Sequence, residues 1–524
     1  MLASGLILGM RRASALLNRL AGRTRGAAHA ALLLSLIGVG CAQAGPPVST
    51  TTPAATAPEW ASAPARASAP AAPPAPLASL LPFTQGQASS SRQSQLAATG
   101  YSEEEWRLRG QAQSYVADGE WHDDGLWGVK AAHPPQPYET RILVRRPKDP
   151  ARFNGIVLVE WMNTALSFDL DGGWLLNRDE ILRQGYAWVG VSAEAQSVSF
   201  LKGLNPTRYA QARAEDNNGQ SFDIYTQAAR LIRQTAPQWG LAGQADAKHP
   251  VRLLALGYSQ SGSYLITYLN AFQPWTHAFD GFYLMSTAAV GMPLTTAGSR
   301  YFSPQYRATP QAPVMQVSTE MEVMVGWQLS RTPDTNALRH WEIPGASHLD
   351  KYMQQETLAV DLSGKALQMP HCRKPTNTLP ARLFNHAALR ALRTWVTEGK
   401  APPIAPRMQR TRLGFVQDDE YGNALGGLRL PDLDVPLAQH GMYSNFPSSQ
   451  WSMWSFYACM AGGSRNPLPI EVVRKLYPTD QAYFDAYKKA ADKLLSQGFL
   501  LPEDHASLLA YARTIKPNDG SLAH

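Results

Sequence analysis

Cysteine is scarce in this chain: three residues in 524, at Cys41, Cys372 and Cys459. That excludes a disulfide-framework scaffold, and neither the cysteines nor the twelve histidines fall at zinc-site spacing. Charged residues are also few, at 17%. The formal net charge of +7 is concentrated at one end. Five of the positive charges are Arg11, Arg12, Arg19, Arg23 and Arg25, and without those five the balance is +2. With no basic stripe interleaved with aromatics, this is not the signature of a nucleic-acid binder. The apolar run 30–39 falls well short of a membrane-spanning helix. The glycines form neither a dinucleotide-binding nor a P-loop pattern, so no cofactor or metal is implied. No internal repeat is visible.

The early arginines, the apolar run and Ala42-Gln43-Ala44 have the order of a secretory signal: a basic segment, an apolar core and a small-residue cleavage site. Residues 1–44 are therefore expected to be a signal peptide, with Met10 as an alternative start. Cys41 directly follows the apolar core, where a lipid anchor would be attached; the alternative is a free periplasmic or extracellular protein. Residues 45–81 are rich in Ala, Pro, Ser and Thr with few charges and cannot bury enough apolar surface to fold, so they are expected to form a disordered tether. Residues 82–524 are expected to be the folded domain; the chain's 44% hydrophobic residues suffice for a large core. In an oxidising compartment Cys372 and Cys459 could pair; their spacing does not decide it.

Within that domain strand-like and helix-like segments alternate. Residues 138–144 alternate polar and apolar, as an outer strand does, whereas 155–161 is a continuous apolar run suited to a doubly covered parallel strand. Further strands are expected at 186–191, 251–254, 281–286, 313–318 and 338–343. Helices are expected at 174–184, stopped by Gly185, and at 222–233, where Phe222, Tyr225, Ala229 and Ile232 share a face. Another spans 384–397, ended by Gly399 and Pro402-Pro403. The pattern predicts an open, mainly parallel, doubly wound α/β sheet. Two segments exceed a minimal sheet: an insertion at 287–312, after the sixth core strand, and an extension from about 400 to 524. The extension carries an aromatic-rich stretch at 443–457 and a helix near 483–495, and is expected to cover the sheet edge or fold back over the site.

The most informative segment is Gly257-Tyr258-Ser259-Gln260-Ser261-Gly262. An apolar strand precedes it and a helix-like run, 264–269, follows. A serine at the apex of a sharp strand-to-helix turn is the nucleophile elbow of α/β-hydrolases, whose strained turn demands small residues two positions away on either side. Gly257 meets that demand on one side. On the other, Ser261 stands where glycine is usual.

A serine hydroxyl needs a general base, and the base needs a group to fix its tautomer. In this fold the partners follow in the order Ser, acid, His. His348 lies where a strand runs into the small-residue loop Gly345-Ala346-Ser347. The acid belongs just past the 313–318 strand, where Glu322 and Glu320 both stand; Glu322 lies at the expected distance, and Glu320 is the alternative. The developing oxyanion needs N–H donors. Gln260, directly after the serine, supplies one; the loop after the 155–161 strand offers Met162 or Asn163 for the other, with the Asn163 side chain as a further donor.

Several segments together resemble a bacterial family of secreted proteins called the α/β-hydrolase domain family. They are Val159-Glu160-Trp161-Met162-Asn163, the stretch 185–192, Ser259-Gln260-Ser261, residues 338–348 ending in Gly345-Ala346-Ser347-His348, and the stretch 422–427. The resemblance covers about 82–515, extension included, and its Ser-Gln-Ser elbow is similar to the one here. The family tends to carry aspartate at the position of Glu322, where this chain has glutamate. The resemblance implies an α/β-hydrolase fold and a Ser259, His348, Glu322 triad. Together the readings predict a secreted serine hydrolase of small carboxylic esters, working through an acyl-enzyme. The same triad would serve an amidase, peptidase or acyltransferase. A non-catalytic, envelope-anchored binding protein is the reading from a different class.

Overall fold

The computed structural model describes residues 78–83, 88–166, 168–239, 241, 250–295, 301–302, 304–325, 332–360, 362, 370–411, 414–444 and 453–519. The expected signal peptide, the Cys41 anchor position and the tether up to residue 77 lie outside the described residues. One compact unit comprises 66–409 and 416–524. Of the other, Met1–Ala65 with Arg410–Phe415, the described part is a turn in which the Thr411 N–H reaches the Phe415 carbonyl at 2.8 Å.

Among the described residues nine strands form one sheet. They are β1 (Ser79–Pro82), β2 (Tyr101–Ala112), β3 (Gln136–Pro147), β4 (Ile156–Trp161), β5 (Ala187–Val191), β6 (Arg252–Tyr258), β7 (Gly281–Met285), β8 (Val314–Thr319) and β9 (Leu338–Ile343). Their spatial order is β1-β2-β3-β5-β4-β6-β7-β8-β9. The first three strands run antiparallel to their neighbours, and from β5 to β9 every pairing is parallel. Two boundaries move from the sequence reading. The fold begins before residue 82, because Ser79–Pro82 pairs with β2 and Leu80 packs on the core. Neither β1 nor β2 was among the expected strands, and the 287–312 insertion follows β7, the seventh strand of the sheet in chain order, not the sixth.

The parallel strands are apolar because both faces are covered. Side chains alternate across a strand, which sends Leu158, Leu254, Leu256, Val317 and Trp341 into one core. Val157, Val159, Leu253, Ala255 and Phe282 enter the opposite core. On the first face lie α1 (Gly172–Gln184), α6 (Lys351–Leu358) and α7 (Arg382–Glu398); on the second lie α3 (Asn218–Thr235) and α4 (Gln260–Thr267). The short helix α2 (Ala195–Leu204) follows β5, and α5 (Glu320–Val325) follows β8. Helices α1 and α7 stop where expected, at Gly185 and Gly399, both left-handed with φ of 76° and 71°.

Buried ion pairs bolt the antiparallel side to α1. Asp171, which precedes that helix, is bound by Arg92 at 2.7 Å and by Arg145 at 2.6 Å, while Arg145 also holds Glu103 at 2.7 Å. Such charges are tolerable in an interior only because each is paired.

The extension adds α8 (Met453–Gly462), α9 (Asp480–Ser496) and α10 (Pro502–Thr514). Tyr483, Tyr487 and Leu494 of α9 join the core that contains Trp341 and Leu392, and the Phe499 ring meets Trp341 edge-on at 5.1 Å. This part packs on one face of the sheet, where it meets Trp341 of the edge strand β9. Helix α8 does something else, described below.

Candidate active site

Ser259 sits between β6 and α4, beside the carboxyl ends of the parallel strands, the edge where open α/β sheets bind ligands. Its backbone is at φ 57°, ψ −121°, a region non-glycine residues avoid. Gly257 makes this turn sterically feasible: a Cβ there would lie 2.7 Å from the Gly262 nitrogen. Ser261 has a use of its own. Its hydroxyl accepts from the Tyr258 N–H at 3.0 Å and donates to the Tyr258 carbonyl at 2.8 Å, so it closes the turn with two hydrogen bonds. It is wholly buried, whereas Ser259 is half-exposed.

His348 follows β9 in the small-residue loop, and its Nδ1 lies 2.6 Å from Glu322 Oε1. The other Glu322 oxygen accepts from the Thr319 N–H at 2.7 Å and from the Thr319 hydroxyl at 2.6 Å. With Nδ1–H donating to the carboxylate, the Nε2 lone pair is left to accept, and Nε2 has no hydrogen-bond partner among the described residues. Glu320 goes elsewhere: it accepts from the Gly345 N–H at 2.7 Å and anchors the loop, and burial pushes its carboxyl up to about 7. Residues two apart on a helix point to opposite sides. One glutamate therefore reaches the histidine and the other the loop leading to it.

The expected oxyanion donors are redistributed. The Met162 N–H is engaged by the Val191 carbonyl at 3.1 Å, and the Asn163 N–H by Leu170 at 3.0 Å. The Asn163 side chain donates to the Tyr258 carbonyl at 2.7 Å. The expectation that a Met162 or Asn163 backbone N–H points at the substrate is thus corrected, because both are spent inside the fold. The next residue, Thr164, is the one whose N–H finds no partner among the described residues. It adjoins Gln260: the Thr164 hydroxyl is 3.3 Å from Gln260 Oε1 and 3.1 Å from Glu194 Oε2. The Gln260 N–H lies in the open first turn of α4, where the helix leaves donors free. Sequence reasoning missed Thr164 because the Asn163–Leu170 bridge that consumes the preceding N–H is a loop contact without periodicity. Beneath these groups Glu194 also accepts from Trp161 Nε1 at 3.0 Å, and burial raises its carboxyl to about 7.

The extension returns to this site. Cys372 and Cys459 are joined in a disulfide, 87 residues apart in sequence. Next to it α8 grips both neighbours of His348: the Ser347 hydroxyl donates to the Gly462 carbonyl at 3.1 Å, and the Leu349 N–H to Ala461 at 2.8 Å. From this helix the Tyr457 ring meets the His348 ring edge-on at 6.2 Å. Most of the aromatic-rich stretch, 445–452, lies outside the described residues.

A mainly parallel, doubly wound sheet with a strained serine at a strand-to-helix apex defines the α/β-hydrolase class. The chain belongs to the family described as Alpha/beta hydrolase domain, which it matches over residues 67–510. Among solved structures it is similar to a thermostable esterase from Pseudomonas putida, with 14% identity, 43% of this chain and 66% of that one covered, and a TM-score of 0.25. It is also similar to the esterase Est22, with 12% identity, 42% and 64% covered, and a TM-score of 0.24. A serine hydrolase without a lid from Xanthomonas campestris shows 10% identity, 47% and 88% coverage and a TM-score of 0.27. The chain spans slightly less than two thirds of the length of the two esterases. No curated protein matches.

Proposed function

We propose that this protein is an exported serine hydrolase of carboxylic esters. The carrying observation is His348, held through Nδ1 by Glu322 at 2.6 Å, with Nε2 unpartnered among the described residues, on the same sheet edge as the strained Ser259. In this reading Ser259 Oγ attacks the acyl carbon while its proton passes to His348 Nε2. Glu322 stabilises the resulting imidazolium. The Gln260 and Thr164 N–H groups bind the oxyanion. The histidine returns its proton to the leaving alcohol, and water then repeats the sequence in reverse to release the acid. The strong hydrogen bonds from Thr319 keep Glu322 oriented.

Export draws on the basic and apolar N-terminal pattern. It is supported by the Cys372–Cys459 disulfide, which belongs in an oxidising compartment. Whether the mature protein is lipid-anchored at Cys41 is read by mass spectrometry of the processed N-terminus.

The test is labelling of purified protein with a fluorophosphonate probe, mapped to the peptide, beside turnover of a short-chain aryl ester and the matching anilide. Labelling at Ser259 with ester turnover, both absent in Ser259→Ala, supports the reading. Faster anilide turnover would redirect it to an amidase. A folded protein that neither labels nor turns over refutes it and leaves the envelope-binding alternative.

A further inference from the structure

Glu194 is a buried carboxyl to which the reaction above gives no part. Strands β4 and β5 run parallel, and their last paired residues are Trp161 and Val191. Thr164 and Glu194 each lie three residues further on, so the register brings them side by side at the carboxyl ends of the strands, where Ser259 also lies. Glu194 stands at the N-terminus of α2, yet its side chain does not cap that helix. It turns inward instead. One oxygen accepts from Trp161 Nε1 at 3.0 Å, and the other meets the Thr164 hydroxyl at 3.1 Å. The Trp161 indole is wholly buried and stacks on Tyr264 of α4, centroids 4.6 Å apart, so the first oxygen is tied to a rigid part of the core. Satisfying that indole takes only one oxygen. The second is committed to Thr164, whose hydroxyl lies 3.3 Å from Gln260 Oε1. The series Trp161, Glu194, Thr164, Gln260 therefore ends on the two residues whose backbone N–H groups are read as the oxyanion donors. Thr164 needs such a hold, because it sits in the irregular loop between β4 and α1 and Ala165 beside it is exposed. An acid is also a disfavoured choice for this position unless its second oxygen has a use, since burial pushes the carboxyl up to about 7.

We propose that Glu194 is a positioning residue: it braces the Thr164 hydroxyl against Trp161 and so sets where the Thr164 N–H stands relative to that of Gln260. The inference rests on the ester-hydrolase reading above. Glu194 touches no reacting atom and neither gives nor takes a proton in the reaction. Its effect comes when Ser259 Oγ bonds to the acyl carbon and the carbonyl electron pair moves onto oxygen. Both N–H groups must then already point at that oxygen, because donors fixed in advance need no rearrangement as the charge develops. A misplacement of about 1 Å can lower the rate by about 100-fold. The Asn163–Leu170 bridge holds the base of the loop through backbone bonds, and Glu194 holds the next residue through its side chain.

The test uses the full chain and a short-chain aryl ester, with an aryl boronic acid as a mimic of the tetrahedral adduct. Glu194→Ala should lower kcat by about 10- to 100-fold, a fraction of the loss seen on deleting an oxyanion donor outright. KM should stay within about 3-fold, as for an interaction made only in the transition state. Boronate affinity should fall by the same factor as kcat/KM. Glu194→Gln keeps both contacts, its carbonyl accepting from Trp161 and its amide donating to Thr164 Oγ1, and should hold kcat within about 3-fold of wild type. Thr164→Val removes the hydroxyl but keeps the N–H. It should match the kcat loss of Glu194→Ala, and the double variant should be no worse than either single one, because the two residues act as one brace. A carboxyl that merely supports the fold would lower the unfolding temperature on truncation and leave kcat and boronate affinity of the folded protein unchanged. That result would overturn the inference while leaving the esterase reading intact, as would losses that multiply in the double variant or a glutamine variant as impaired as the alanine one. If Glu194→Ala does not fold, Thr164→Val decides, and wild-type kcat there overturns the proposal. A wild-type protein that neither labels at Ser259 nor hydrolyses ester would overturn both readings.

Discussion

Tyr258 and His348 lie face to face, ring centroids 5.1 Å apart, and the Tyr258 hydroxyl donates to the His348 carbonyl at 2.6 Å. The residue before the nucleophile thus supports the residue proposed as its base, across 90 positions of sequence. Tyr258→Phe keeps the stacked ring and leaves a buried carbonyl unsatisfied. A stability loss of about 1–3 kcal/mol follows from that orphaned group. Because the ring stays in place, kcat should fall by less than about 10-fold, as expected when positioning is loosened but the base is kept. Denaturant unfolding together with ester kinetics reads both.

The two glutamates of α5 make opposite predictions. Glu322→Gln keeps the shape but removes the charge facing His348 Nδ1, and a tautomer-fixing acid of this kind is worth about 10⁴ in kcat. Glu320→Gln loosens the Gly345 contact and should leave kcat within about 3-fold, since it bonds only the loop backbone. Equal losses in both variants would mean the acid is misassigned.

The Cys372–Cys459 link closes a loop of 87 residues. Reducing it should cost about 2–5 kcal/mol of unfolding free energy. If the staple also holds α8 over the site, activity should decline at reductant concentrations that leave the protein folded. Parallel circular dichroism and turnover along a reductant titration separate the two effects.

Stability should rise as the solution is made mildly acidic. Burial raises the carboxyls of Glu194 and Glu320 to about 7 and that of Asp350 to about 6. These groups hold protons in the folded state that they lose when unfolded, so their contribution is fully present below the ordinary carboxylate range and fades as pH climbs through the raised values. The unfolding temperature should therefore increase on going from about pH 8 to about pH 5.5, since stability falls with pH wherever the folded state binds more protons. Asp171 works the other way. Against the upward pull of burial, Arg92 and Arg145 hold its carboxyl below the ordinary range, and its contribution is lost only in stronger acid. Glu194→Gln with Glu320→Gln should flatten the slope between these two pH values; an unchanged slope would assign it to other groups.

The parallel core was legible because burial on both faces writes itself as apolar runs, and β4, β8 and β9 lie within a residue of their expected places. Strand β2 was not, because Tyr101–Ala112 spends Glu103 and Glu105 on buried arginines and so reads as a charged surface segment. The elbow was legible because a turn this tight restricts residue size locally. Spacing also brought the reading to two glutamates and favoured Glu322, the one that faces His348.

What the sequence by itself determined is whatever neighbouring residues enforce: the strand-turn-helix at Ser259, the glycine stops at 185 and 399, and the order of serine, acid and histidine. Tertiary structure alone decided that the backbone donors of Met162 and Asn163 are consumed while that of Thr164 is left, that Cys372 meets Cys459, and that the Tyr457 ring packs against His348. The physical reason is range. Local sterics and periodicity act over a few residues, whereas each of the undecided contacts depends on where a loop or helix lands after the sheet has closed its two cores.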